Sequence, residues 1–503
     1  MFKQIIVATA LLLLPLSSCR NALQTEATPV TTRAGLVSGT VSDDGQIRIF
    51  RGIPFAAPPV GDLRWREPQP PAPWEGVRAC TIPPASAMQA KPVPFNCWSS
   101  EFLIPPDPIS EDCLYLNVWT PAGPGDRLPV MVWIHGGGFT GGSGTVPLYD
   151  GEAIARKGIV YVTINYRLGI FGFLAHPELS AESPQHLSGN YGLLDQVAAL
   201  RWVQENIAGF GGDPAQVCIA GQSAGAFSVN MLMASPLTRG LFARAIAQSG
   251  GTLWGSRALG QTLPDAEERG RRLVDRLGLT IPQMRALPAD SLLKLPSANG
   301  FVIDSLCFPS ARSVFEAGLQ HKVPLLTGWN EGDGVSFGPS PSAASFRAAA
   351  EMQYGDRAGQ FLRLFPAETD LEAAASQKLV NALFFGWNNY ALARFQSAAC
   401  PSFLYYFRRT PPGEPNYGSF HSAEFAYALH TLNYWERPFT EVDRRLEEAM
   451  SSYWTNFVKH GDPNGASLPP WPAFDPQNPQ VMELGDEVKA GTMPAREQLE
   501  WNF

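Results

Sequence analysis

Short apolar runs recur along this chain, each closing in a glycine-rich or polar loop. They cover residues 130–134, 159–165, 217–220, 245–248, 323–327 and 403–407. Continuous runs of this length, rich in β-branched and aromatic residues, suit strands buried on both faces of a mostly parallel sheet. Helical stretches alternate with them. Over residues 190–206, Leu193, Leu194, Val197, Leu200 and Val203 recur at helical spacing, which predicts a helix with one buried stripe. Alternation of this kind predicts an α/β fold: a mostly parallel central sheet, helices on both faces, and long loop and helical insertions. Residues 54–108, rich in proline, and residues 253–310 are less regular, and residues 338–394 are helical in composition. These read as surface loops and a helical lid region on one domain spanning residues 34–503. In such a sheet the chemistry gathers at the C-terminal ends of the strands.

The start of the chain stands apart. Lys3 precedes an apolar stretch over residues 5–16, too short to span a bilayer as a stable anchor. Leu16-Ser17-Ser18-Cys19 follows and resembles a bacterial lipobox, in which the cysteine carries lipid and becomes the first residue of the mature chain. Residues 1–18 then read as a lipoprotein signal and 19–33 as a polar tether. The expected location is the cell envelope of a bacterium, with simple export to the periplasm or medium as the alternative. No later stretch is apolar for long enough to cross a membrane. With 38 basic and 46 acidic residues the net charge is −8, and no run of lysine or arginine suggests a nucleic-acid partner.

Two motifs carry chemistry. Gly221-Gln222-Ser223-Ala224-Gly225 sits between a predicted strand and a helix-like run, the setting of a nucleophile elbow. Small residues let the chain turn so sharply that the serine hydroxyl projects off the sheet. His135-Gly136-Gly137-Gly138-Phe139 follows the 130–134 run. Its glycines expose N–H groups of the kind that stabilise an oxyanion, so Gly137, Gly138 and the N–H of Ala224 are the expected donors. No GK[ST] ending follows, which argues against a phosphate loop. A serine hydroxyl needs a base. In folds of this type the chain order is serine, acid, histidine. His421 lies in a loop after the 403–407 run and is the expected base. His430 reads as structural, and His460, beside Gly461, as a helix cap. The acid is expected just after the 323–327 run, where Glu331 and Asp333 are both available.

These residues together resemble the type-B carboxylesterases, the family that includes cholinesterases and bacterial para-nitrobenzyl esterases. The likeness runs from about Gly35 to the C-terminus. It is carried by Phe50-Arg51-Gly52-Ile53-Pro54, Gly61-Asp62-Leu63-Arg64-Trp65-Arg66, Glu111-Asp112-Cys113-Leu114, Asn165-Tyr166-Arg167, Gly189-Asn190-Tyr191-Gly192, the Ser223 elbow and His421-Ser422-Ala423-Glu424. The resemblance implies an α/β-hydrolase fold and ester hydrolysis by a Ser–acid–His triad through an acyl-enzyme, without cofactor or metal. The family also contains catalytically silent binding and adhesion modules, which are the alternative; Ser223, His421, an acid and the glycine loop together favour the enzyme. Aligning Gly328 and Asn330 without a gap puts Asp333 on the family's acid, with Glu331 the alternative. The resemblance also implies a buried Arg64–Glu111 pair and a disulfide from Cys113 to Cys97, or to Cys80, unless Cys113 is free; Trp254, which follows the 245–248 run and the turn Ser249-Gly250-Gly251 on the catalytic side of the sheet, is expected in the acyl pocket. Where the family usually has glutamate before the nucleophile this chain has Gln222, so its substrate pocket should favour cationic esters less. Cys218, inside an apolar run, reads as a buried small hydrophobe.

Overall fold

The apolar runs lie side by side in an eleven-stranded sheet. The computed structural model describes residues 27–123, 125–253, 260–296, 300–334 and 340–501. The strands are β1 (Thr40–Val41), β2 (Arg48–Pro54), β3 (Tyr115–Thr120), β4 (Leu128–Ile134), β5 (Val160–Ile164), β6 (Gly212–Gln222), β7 (Arg244–Gln248), β8 (Leu325–Asn330), β9 (Ser402–Phe407), β10 (Gln480–Leu484) and β11 (Val488–Thr492). Their order across the sheet is β11-β10-β9-β8-β7-β6-β4-β5-β3-β2-β1. From β5 through β4, β6, β7, β8 and β9 to β10 every pairing is parallel. The two edges turn antiparallel.

Side chains alternate across the sheet with period two. In β4, Val130, Val132 and Ile134 enter one hydrophobic cluster, and Met131 and Trp133 enter another. Helices α1 (Tyr191–Asn206) and α2 (Ala224–Ala234) cover the first face. Leu193, Val197, Leu200 and Val203 of α1 join Val132 and Ile219 there. A long helix, α3 (Asp370–Ser397), and a short one, α4 (Ala423–Ala428), follow, and then α5 (Glu441–His460). Met450, Trp454 and Phe457 of α5 fill the cluster on the other side. Most described residues of 338–394 are helical, as their composition suggests.

The structure differs from the sequence reading at several places. Val217–Ala220 is the middle of a longer strand, and the strand at 323–327 starts at Leu325 and runs on to Asn330. The stretch 253–310, read as irregular, contains Leu263–Leu277 and Ile281–Ala286 as helices. Each starts at a threonine whose side chain accepts a backbone N–H, and the second has a full capping box between Thr280 and Gln283. The folded body begins before Arg33, where the polar tether is expected to end. Ala27 and Val30 are buried, and Val30–Thr31 pairs with Leu36–Ser38, so the folded body includes residues 27–33. Residues 1–26, with the expected signal and Cys19, lie outside the described residues. Among the described residues no helix is long and apolar enough to cross a membrane.

The disulfide is a correction. All six cysteines among the described residues are free thiols. Cys113 is buried in one hydrophobic cluster and Cys97 in another, so the two belong to different packing environments. Cys80 shares the Cys113 cluster, but its thiol is directed at the Gly52 carbonyl oxygen 3.7 Å away. Cys218 is fully buried in β6, and burial raises its thiol far above the usual range.

The expected Arg64–Glu111 pair is present. Arg64 Nε donates to Glu111 Oε2 at 2.7 Å, and the side chains are only 7% and 12% exposed. Arg64 Nη1 also donates to the carbonyl oxygens of Arg285 and Leu287, each at 2.7 Å. The pair therefore ties the proline-rich loop to the helix at Ile281–Ala286, and buried charge is tolerated because every edge of it is matched.

Candidate active site

Parallel strands bring their C-terminal ends to one edge of the sheet, and the candidate residues follow those ends in turn. Ser223 comes directly after β6, with φ 55° and ψ −125°. A positive φ with this ψ is costly for a residue with a Cβ, and it is held here by the packing around it. A Cβ on Gly225 would stand 1.9 Å from the Ile134 carbonyl oxygen, and one on Gly221 2.6 Å from Gly225 itself. The two glycines of the motif therefore let α2 start immediately against the end of β4. The Ser223 amide donates to the Gln248 carbonyl at 2.9 Å, which anchors the turn to β7.

The glycine loop follows β4. Gly137 has φ +105°, and a Cβ there would meet the Gly141 carbonyl oxygen at 2.1 Å; Gly138 has φ +61°, and a Cβ there would meet Thr140 Oγ1 at an ordinary contact of 3.9 Å. Among the described residues the amides of Gly137, Gly138 and Ala224 donate to no other group. His135 fixes the base of the loop. Its ring stacks on Tyr166 at 4.3 Å and 15°, Tyr166 Oη donates to the His135 carbonyl at 2.8 Å, and burial holds the imidazole neutral with its pKa lowered to about 4.

His421 and Asp333 meet at the same edge. Asp333 Oδ1 accepts from His421 Nδ1 at 2.7 Å, and Oδ2 accepts from Ser249 Oγ and from the Asn330 amide, both at 2.8 Å. Asp333 is 1% exposed. Glu331 points the other way. Its side chain is 49% exposed, 3.6 Å from Arg408 Nε, and accepts from Tyr406 Oη at 3.4 Å. The imidazole of His421 lies flat against Phe385 of α3, with centroids 4.7 Å apart at 27°, and edge-on to Trp98 at 6.4 Å. At the far end of the ring, Gln222 Nε2 is 3.3 Å from His421 Nε2.

Ser249, Asn330, Glu424, Phe385 and Trp98 were not assigned roles from the sequence. Ser249 does leave a trace, since it follows an apolar run and precedes two glycines; its φ is 52°. Glu424, three residues past His421, is fully buried. Asn330 Nδ2 donates to its Oε2 at 2.6 Å and Gln248 Nε2 to its Oε1 at 3.2 Å. Burial, and then the neighbouring Asp333, push its carboxyl up to about 7. His430 is away from this cluster, its Nδ1 3.2 Å from Ser451 Oγ. His460 is the last residue of α5, but the stop is made by Gly461 in the left-handed region, whose amide donates to Phe457. Trp254 lies outside the described residues.

Ser223, Gly137, Gly138, Gln222, Asp333 and His421 all line one cavity of about 1750 Å³. Aromatic and aliphatic side chains make most of its wall, Trp98, Phe102, Phe301, Phe384 and Phe385 among them. Among the described residues no cluster of histidine, cysteine and carboxylate side chains converges as a metal set.

A serine on a strained strand-to-helix turn, a histidine bonded to a buried carboxylate, and backbone amides without other partners are carried on an α/β-hydrolase sheet. The chain belongs to the carboxylesterase family, whose model matches residues 26–501. It is 38% identical over 495 residues to a fumonisin B1 esterase of Sphingopyxis macrogoltabida, covering 92% of this chain and 87% of that one. It is 34% identical to a para-nitrobenzyl esterase of Bacillus subtilis, covering 94% and 98%. A solved para-nitrobenzyl esterase structure superposes with a TM-score of 0.82 at 32% identity, covering 94% of this chain and 99% of that chain. The protein is an enzyme that hydrolyses carboxylic esters.

Proposed function

We propose that Ser223, His421 and Asp333 act as nucleophile, base and orienting acid in a two-step acyl transfer. The observation that carries this reading is the 2.7 Å bond from His421 Nδ1 to the buried Asp333 carboxylate, on the wall of the cavity that Ser223 lines. Ser223 Oγ attacks the ester carbonyl carbon as His421 Nε2 takes its proton. The carbonyl oxygen becomes an oxyanion and accepts from the amides of Gly137, Gly138 and Ala224. Collapse breaks the ester C–O bond, and the imidazolium gives its proton to the leaving alcohol oxygen. Water then enters the same cycle, His421 again removing the proton, to release the acid and restore Ser223. Asp333 holds the ring in the tautomer with Nδ1–H and stabilises its charged form without taking the proton. A silent binding module would have no use for this bonded set.

The substrate is a bulky ester without a cationic group. The cavity exceeds the ~300–1,000 Å³ of common small-molecule sites. Asp333 is the one carboxylate among the described residues on its wall, and the two cations that line it, Lys91 and Arg312, are paired with Asp107 and Glu316. With Gln222 beside the nucleophile, no carboxylate there attracts a cationic alcohol group. At the N-terminus we propose export and lipid attachment at Cys19, on the lipobox-like Leu16-Ser17-Ser18-Cys19; an unmodified native N-terminus by mass spectrometry would refute it.

The decisive test is turnover of a short-chain nitrophenyl ester, followed by a panel that varies acyl length and alcohol bulk. Ser223→Ala removes turnover while leaving the fold; turnover at the parent rate in that variant would sink the assignment.

A further inference from the structure

His421 is held on every side but one. Nδ1 is bonded to Asp333 at 2.7 Å, Phe385 lies along one ring face, and Trp98 stands edge-on. These contacts block rotation out of the plane. At the Nε2 end the Gln222 amide nitrogen lies 3.3 Å away. A carboxylate can only accept, so Asp333 requires the proton on Nδ1 of the neutral ring and a lone pair on Nε2. The group facing that lone pair must donate, which fixes the Gln222 amide with its nitrogen towards His421. The carbonyl then faces the glycine loop, where a Cβ on Gly136 would stand 3.1 Å from Gln222 Oε1. Gln222 is 2% exposed, so its amide is not exchanged for bulk water.

We propose that Gln222 is a positioning residue that steadies the Nε2 end of His421 in both of its charge states. Towards the neutral ring the amide donates N–H. Once His421 has taken the Ser223 proton, a half-turn of the amide offers the carbonyl oxygen to the new Nε2–H from the same place. At 3.3 Å the resting bond is at the long end of the hydrogen-bond range, so Ser223 displaces it at small cost. A glutamate in this position would have no donor for the neutral ring and a full charge for the imidazolium. It would hold the base in the protonated form and so close the acid side of the pH range. The titratable groups around the ring are Asp333 after β8 and Glu424 on α4; the β6–α2 turn contributes the neutral Gln222, α3 contributes Phe385, and the loop before β3 contributes Trp98. Both carboxyls stay in place when Gln222 is changed, so a shift on substitution reports on that position.

The inference rests on the reading of Ser223 and His421 as nucleophile and base, and the two are tested apart. Gln222→Met keeps the volume and removes both hydrogen-bonding groups. Its kcat falls about two- to tenfold, the factor carried by one neutral hydrogen bond, with KM and the acid limb of the profile unchanged. Gln222→Glu moves the acid limb of kcat/KM upward by about one pH unit and retains most of its rate on the alkaline side. Both variants should melt within a few degrees of the parent. Parent-like kcat in Gln222→Met together with a parent-like acid limb in Gln222→Glu would overturn the proposal and leave Gln222 as packing alone. Imidazole NMR of His421 in the Ser223→Ala background reads the same contact without turnover. If Ser223→Ala stayed active while the His421 signal still responded to Gln222→Glu, the triad reading would fail and the positioning contact would stand.

Discussion

Replacing Asp333 by asparagine is the sharpest perturbation of this site, because three donors converge on its carboxylate. Oδ2 serves two of them, Ser249 Oγ and the Asn330 amide, and Oδ1 serves His421 Nδ1. An amide has one acceptor oxygen. The arrangement that loses least puts this oxygen on the Ser249 and Asn330 side, where it keeps two bonds, and turns the NH₂ towards His421. That NH₂ needs an acceptor, so the ring must shift its proton to Nε2. The base then faces Ser223 with a proton where a lone pair is required. Removal of this one orienting charge in a serine triad costs about 10⁴-fold in kcat, which is about 5.5 kcal/mol of barrier. The assay is nitrophenyl ester turnover near neutral pH, with a thermal melt as the control for folding. Glu331→Gln should change kcat less than twofold, since its side chain is half exposed beside Arg408. If Asp333→Asn kept kcat within tenfold of the parent, or Glu331→Gln proved the more damaging, the tautomer argument would be wrong.

Other expectations follow from single contacts. Glu111→Gln leaves Arg64 buried with two carbonyl acceptors but no countercharge; we expect a loss of about 3 kcal/mol, seen as a melting point several degrees lower, and an unchanged melt would show that the pair is not structural. Gly138→Ala has room for its methyl at φ +61°, whereas Gly137→Ala drives a methyl to 2.1 Å from the Gly141 carbonyl oxygen. The first should keep the fold with a modest loss of kcat, the second should abolish activity or folding, and equal behaviour would contradict the loop geometry. Glu424 has its carboxyl raised from 4.5 to about 7, so the native state holds a proton that the unfolded chain releases over that window. Stability therefore falls as pH rises from about 4.5 to 7 and stays lower above it, by about 3 kcal/mol in all; Glu424→Gln should flatten this slope, and an identical slope in both proteins, by denaturant titration across pH, would refute it.

Much of this protein can be read along the chain. A strand buried on both faces has no polar position to offer, so the inner strands announce themselves as unbroken apolar runs, and β4, β7 and β9 fall within two residues of where the pattern puts them. The turn at Ser223 is equally local. Gly221 and Gly225 are required by backbone atoms less than 3 Å from where their side chains would be, so the motif and the geometry are the same fact. Other features depend on neighbours distant in the chain. Glu331 and Asp333 are two residues apart on one loop, and nothing local says which turns inward. The tertiary structure decides it, because β8 runs on to Asn330 and carries Glu331 out to Arg408 while Asp333 turns back beneath Ser249. Cys113 and Cys97 could be paired on paper, but a bond needs two thiols in one packing environment, and these lie in different clusters. Glu424 and Ser249 become part of the site only because β7, β8 and α4 meet there. Strand and turn chemistry are short-range and so are written in consecutive residues. Which carboxylate is buried, which thiols meet and which amide faces a base are set by contacts between elements up to 199 residues apart, and only the folded chain determines them.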